Sequence, residues 1–127
     1  MTTLIFSWPP SVNDYWEGMG RSRHIGARGK AFREEVFWVV RRARMAGAFG
    51  KDVRIGVTIT AREPKLKRRR DIDNLAKAAL DAMKHAGVYV DDSQIDVLHI
   101  ERVTFAEHGF PAGQIDVSVY PLPSAPE

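Results

Sequence analysis

From Asn74 to Ala86 the chain can be little other than a helix laid on a core. Leu75, Ala78, Ala79, Ala82, Met83 and Ala86 form one apolar stripe, and Gly87 supplies the stop. A helix with one apolar face needs a partner layer, and the flanking segments supply it. Val53, Ile55, Val57 and Ile59 alternate with polar or small residues, which predicts a half-buried strand. Leu4 to Trp8 predicts a short strand stopped by Pro9-Pro10. Ile95 to Phe105 and Ile115 to Tyr120 predict two more, separated by Gly109, Pro111 and Gly113. A second helix is predicted from Lys30 to about Met45, where Phe32, Val36, Val39, Val40 and Ala43 recur at helical spacing before Gly47 and Gly50. Ser11 to Gly29, rich in Gly, Asn, Ser and Arg, predicts a loop or an irregular hairpin, and Val88 to Val90 a short extended piece. The order β, loop, α, β, α, β, β predicts an α/β fold: a mixed sheet with two main helices packed on it. With 127 residues and no repeat, one domain spanning 1–127 is expected, with a loose Pro-rich tail after about 121.

Composition excludes several function classes. No apolar run approaches the roughly 18 residues of a membrane span. The N-terminus lacks a basic leader, so no signal peptide is expected. The absence of cysteine rules out disulfides and thiolate zinc sites and suits a reducing cytoplasm. The net charge of +3 points weakly to an acidic partner, and its distribution says more. Arg62, Lys65, Lys67, Arg68, Arg69 and Arg70 are opposed only by Glu63. Arg41, Arg42 and Arg44 read as solvated surface, whereas the Lys67 to Arg70 run reads as functional because acidic residues follow at once.

Those residues are Asp71 and Asp73. Two carboxylates on one side of an extended chain repel unless a cation lies between them. Mg²⁺ takes one or two carboxylates together with water and substrate phosphate. Asp91-Asp92 follow after the helix, and a compact return of the chain would bring one of them near Asp71 and Asp73. Lys77 lies four residues after Asp73, on the same helix face and tilted toward the helix start. Each residue alone has a plainer use: Asp73 or Asn74 as a helix cap, Asp91-Asp92-Ser93 as a polar turn, Asp73 and Lys77 as a surface ion pair. Two acidic pairs bracketing one helix beside a basic run favour chemistry. An EF-hand fails because Leu75 and Ala76 fall where a ligand and a glycine are needed. No Walker A loop is present, and His24, His85, His99 and His108 lack metal-ligand spacing.

The stretch Arg68-Arg69-Arg70-Asp71-Ile72-Asp73-Asn74-Leu75 with Lys77, Leu80-Asp81 within the helix, and Gly87 to Asp91-Asp92 with Gln94-Ile95 resemble the RusA Holliday junction resolvases. Trp8-Pro9-Pro10-Ser11 with Asn13 and Tyr15 resembles the opening of that family, and Gly29, Phe32 and Arg33 its first helix. Two features depart from it: Phe32 stands where many relatives have Tyr, and Gly18 to Arg28 matches poorly. The resemblance implies a homodimer with an α/β fold that binds four-way junctions and nicks symmetrically placed strands with Mg²⁺ or Mn²⁺. It implies that Asp71, Asp73 and Asp92 are the catalytic and metal-holding acids and that Lys77 is the essential lysine. Asn13, Tyr15, Lys67, Arg68, Arg69, Arg70 and Asn74 are the expected DNA contacts, with Tyr15 and Trp16 as candidates to stack on unpaired bases. The rival expectations are a branched- or single-stranded-DNA-binding protein that does not cut and a metal-stabilised structural or RNA-binding domain.

Overall fold

The fold was described from a computed structural model, which describes residues 2–65 and 71–123. Strand β1 is Thr3–Ser7, and the two prolines that follow end it as expected. The next segment is more ordered than its composition suggests. Ser11 caps a one-turn helix, α1 (Val12–Tyr15), by accepting from the Asp14 N–H. Trp16–Glu17 (β2) then pairs antiparallel with His24–Ile25 (β3) as a minimal hairpin.

Helix α2, Ala27–Arg42, begins and ends about three residues earlier than the hydrophobic spacing predicts. Gly29 allows the earlier start: a side chain there would collide with the Tyr15 carbonyl, so α2 packs directly against the end of α1. Strand β4 is Ile55–Arg62, helix α3 Ile72–His85, strand β5 Ile95–Val103 and strand β6 Gln114–Pro121. A one-turn helix between the last two strands, α4 (Phe105–His108), was not expected; the Glu107 carboxylate accepts from the Thr104 N–H at 3.3 Å and closes the turn.

The strands lie in the order β1-β6-β4-β5, with β4 and β5 parallel and the other neighbours antiparallel. This is the mixed α/β sheet that the alternation of patterns predicts. The register sets apolar rows across it. Leu4, Val117 and Ile59 form one row, and Phe6, Ile115 and Ala61 the next. These residues are buried with Phe32, Val36 and Val40 of α2 and Leu75, Ala79, Ala82 and Met83 of α3. Full burial of each large aliphatic contributes about 1.5–3 kcal/mol, so both helices are held to one face. The β1, β6 and β4 positions between these rows include Thr3, Thr58, Thr60, Asp116 and Ser118, which makes the opposite face polar.

The same register defines two sheet edges that matter below. Ser7 pairs with Gln114, Gln114 with Arg62, and Arg62 with Val103, so the ends of β1, β4 and β5 share one edge. Ile55, Ile95 and Pro121 mark the opposite edge. Seven residue steps of β4 separate the two, about 23 Å. Among the described residues no helix is long and apolar enough to cross a membrane.

Candidate active site

Helix α3 begins at the Arg62 edge. Its N-cap is Asp71, with extended backbone (φ −62°, ψ 145°), rather than Asp73 or Asn74. The Asp71 side chain makes no capping hydrogen bond. Asp73 lies inside the first turn, so the extended geometry expected for the pair holds only at Asp71. The helix dipole favours negative charge at both positions. Asp71, Asp73 and Lys77 are exposed, and among the described residues none of their side chains has a hydrogen-bond or ion-pair partner. The Asp73–Lys77 surface pair is therefore not formed, and three charged groups on two turns of helix remain open to a ligand.

Neighbouring contacts fix this helix start. The Asn74 side-chain oxygen accepts from the Val12 N–H at 3.4 Å, tying α1 to α3. Asn13 is exposed on α1, one residue further on. Tyr15, expected to contact DNA, is fully buried here. Its hydroxyl donates to Asp81 of α3 and accepts from Arg33 Nε of α2 at 2.8 Å, while Arg33 also grips Asp81 at 2.8 Å. Burial first, then the Asp81 carboxylate, push the Tyr15 hydroxyl well above its usual pKa, so it stays a donor. Trp16 is half-buried with the Arg23 guanidinium over its ring. The Tyr15–Arg33–Asp81 cluster clamps three helices together. Asp81→Ala leaves a buried hydroxyl and a guanidinium without their acceptor, and it is expected to cost about 2–3 kcal/mol in urea denaturation. A loss below about 0.5 kcal/mol would instead be typical of an exposed surface pair.

The second acidic pair lies elsewhere. The Tyr89 hydroxyl donates to the Leu80 carbonyl and Asp91 pairs with Lys84 at 3.1 Å, so residues 89–92 run beside the C-terminal half of α3. Gln94, buried and using both ends of its amide, fixes this turn. Its oxygen accepts from the N–H groups of Val90 and Asp91, and its nitrogen donates to the carbonyls of Gly50 and Val53. Asp91 is structural: it also accepts from the Ser93 N–H at 3.1 Å. Ser93 first and Lys84 next hold its carboxyl down at about 2. Because that value is depressed, the contribution of this cap is complete above the ordinary aspartate range and fades as pH falls toward 2. Asp92 is exposed and has no such partner among the described residues.

The chain therefore returns to the second half of α3 rather than to its start, where a compact return was expected to bring Asp91 or Asp92. Asp92 precedes Ile95, at the Ile55 edge, and its charge reaches Tyr89 and Lys84 beside the second half of α3, more than two helical turns from Asp71. Among the described residues no group of three acidic or histidine side chains is placed to hold a metal. Asp71 and Asp73 alone supply the hard oxygen donors that suit Mg²⁺, an ion that keeps several waters and takes one or two carboxylates. The Lys67, Arg68, Arg69 and Arg70 run lies outside the described residues. Lys65, just before it, is at the Arg62 edge, where its N–H donates to the Pro111 carbonyl at 3.1 Å.

Open carboxylates and a lysine at a helix start, on one edge of a two-layer mixed sheet, place the chain among small α/β domains that carry their acidic residues at the turn into a helix. It belongs to the endodeoxyribonuclease RusA family, whose model matches residues 7–119. It is 32% identical over 121 residues to the crossover junction endodeoxyribonuclease rusA of Enterobacteria phage HK97, covering 95% of each chain. It is 37% identical over 107 residues to the crossover junction endodeoxyribonuclease RusA of Shigella sonnei, covering 84% of this chain and 87% of that one. The protein of the same name from Escherichia coli K12 is 36% identical over the same length.

Proposed function

We propose that this protein is a divalent-metal-dependent endonuclease that resolves four-way DNA junctions by paired cleavage, acting in the cytoplasm as a homodimer. The observation that carries this reading is the open set Asp71, Asp73 and Lys77 at the end of a cationic run, in a chain matched by the RusA family over 7–119. Asp71 and Asp73 are the residues that would hold Mg²⁺ or Mn²⁺, with Asp92 as the third carboxylate. Bound there, such an ion would supply Lewis-acid polarisation of the phosphate and a more acidic water. Lys77, one turn into the helix, neutralises charge building on the non-bridging phosphate oxygens. Lys67, Arg68, Arg69 and Arg70 hold flanking phosphates without reading bases. Asn74, in the first turn of α3, and Asn13, on the α1 helix that Asn74 holds through Val12, stand to position the strand.

The separation of Asp92 from Asp71 supports a dimer with shared sites. Strand β5 is one of the two outer strands of the sheet and, among the described residues, pairs with β4 alone. Its adjacent residues Val97 and Leu98 point to opposite faces and are 43% and 45% exposed, so the strand is open on both faces. A long open edge is a template for a second strand. Two copies pairing antiparallel through β5 about a two-fold axis would set the start of one β5 beside the end of the other. That arrangement carries Asp92 of each copy toward the Asp71 edge of its mate.

The reading is tested by incubating the protein with a synthetic four-way junction and a linear duplex of matched sequence, with and without Mg²⁺. Symmetric nicks in the junction alone, and only with the metal, are expected. Junction binding with no scission under any divalent ion would make it a branched-DNA-binding protein instead.

A further inference from the structure

The ten residues 104–113 between β5 and β6 build an aromatic lobe on the Arg62 edge, where α3 also begins. The Phe105 and His108 rings meet edge-on at 6.0 Å, and His108 and Phe110 are tilted at 5.4 Å. His108 is locked by two hydrogen bonds. Its Nδ1 accepts from the Phe110 N–H at 2.9 Å, and its Nε2–H donates to the Glu63 carbonyl at 2.7 Å. Gly113, at φ +71°, sits where a side chain would lie 2.7–2.9 Å from Pro64 and the Arg62 carbonyl, so the lobe is seated on the strand end. The Lys65 ammonium lies 5.9 Å from the Phe105 ring centre. Despite this fixed setting, Phe110 is left 45% exposed.

We propose that the lobe is a stacking site for an unpaired nucleobase at the branch point of the DNA, with Lys65 on the adjoining phosphate. The inference rests on the reading that the chain acts on branched DNA, and it names how the branch is sensed. A half-exposed ring, Phe110, in a lobe whose Phe105 ring carries the Lys65 ammonium suits a base attached to a phosphate: the exposed ring takes the base face and the ammonium the charge. In the sequence Lys65 is followed by Lys67, Arg68, Arg69 and Arg70, so this stretch of chain is cationic. The one carboxylate on the lobe, Glu107, is turned back onto the Thr104 N–H. Base pairs within an arm stay stacked on each other and offer no free face, whereas the branch point does.

The test uses the full chain in metal-free buffer, so that nothing is cut. A junction carrying 5-iodouracil at a branch nucleotide is irradiated with the protein, and cross-linked peptides are mapped. A second junction carries the label in mid-arm. Affinities for unlabelled junction and duplex are measured for wild type, Phe110→Ala and Phe110→Tyr. The branch label is expected to cross-link to the peptide holding Phe105 or Phe110, and the arm label is not. Phe110→Ala should weaken junction binding about tenfold and leave duplex binding unchanged, while Phe110→Tyr stays near wild type. The salt slope should not move, because no phosphate contact is lost. Cross-links mapping elsewhere, or full junction affinity in Phe110→Ala, overturn the proposal. So does a change in the sedimentation of the DNA-free protein, which would make the lobe a subunit contact. If wild type itself binds junction and duplex equally, the junction reading falls first and the lobe falls with it.

Discussion

Asp71→Asn and Asp73→Asn should each lower the rate of junction cleavage by at least about a thousandfold, with junction affinity in metal-free buffer retained. The size of the effect follows from what these groups do not do. Asp71 is the N-cap of α3 but spends no side-chain hydrogen bond on the cap, and Asp73 makes no ion pair with Lys77. Asparagine caps a helix as well as aspartate, so Asp71→Asn should lower the urea midpoint by no more than the one favourable charge it takes from the helix start. Asp73→Asn removes one favourable charge from the helix start, worth about 0.3–1 kcal/mol. Loss of cleavage without loss of fold or binding is the signature of a metal ligand. Near-normal cleavage by Asp73→Asn would instead mean that its carboxylate serves only the helix dipole.

The parts of this molecule legible in the sequence are those written in periodic hydrophobicity. The stripe of α3 and the alternation of β4 gave the elements, and their order gave a mixed sheet. Helix boundaries were displaced because they depend on single contacts that periodicity does not carry, such as the close approach at Gly29 that starts α2 early. The candidate site was half legible. Asp71, Asp73 and Lys77 lie at one helix start because local spacing places them there. Asp92 is not beside them because the return path of the chain depends on topology, which local spacing does not carry. A strand, a helix and a parallel strand place the start of the helix at one sheet edge and its end at the other.

The buried polar residues were the harder loss. Tyr15 carries no mark in the sequence that distinguishes a DNA-stacking ring from a core ring with a paired hydroxyl. The available signal was in its partners: Arg33 and Asp81 sit beside apolar helix positions, next to Phe32 and Ala82, where an unpaired charge would be costly. Opposite charges flanking two apolar stripes imply a clamp between them. Gln94 gave a similar sign, a lone amide among the residues that lead into a strand.

Mixing two inactive variants should restore cutting. If Asp92 acts with Asp71 and Asp73 of the other copy, a dimer of one Asp71→Asn subunit and one Asp92→Asn subunit holds two unequal sites. One site carries both substitutions and is dead. The other draws Asp71 from the Asp92→Asn subunit and Asp92 from the Asp71→Asn subunit, and is intact. Random reassortment makes about half of the dimers mixed, each with one working site, so nicking should recover to about a quarter of the wild-type rate. Each mixed dimer nicks one strand and does not resolve the junction in a single encounter. The reason to expect this is the distance along α3: Asp92 lies beside its second half, more than two helical turns from Asp71 in the same subunit, and no side-chain rotation spans that. If each subunit held a complete site, both sites of the mixed dimer would be defective and the mixture would stay inactive. Persistent inactivity, with subunit exchange verified by sedimentation of differently tagged chains, would exclude the shared site. It would leave Asp71 and Asp73 to hold the metal without Asp92.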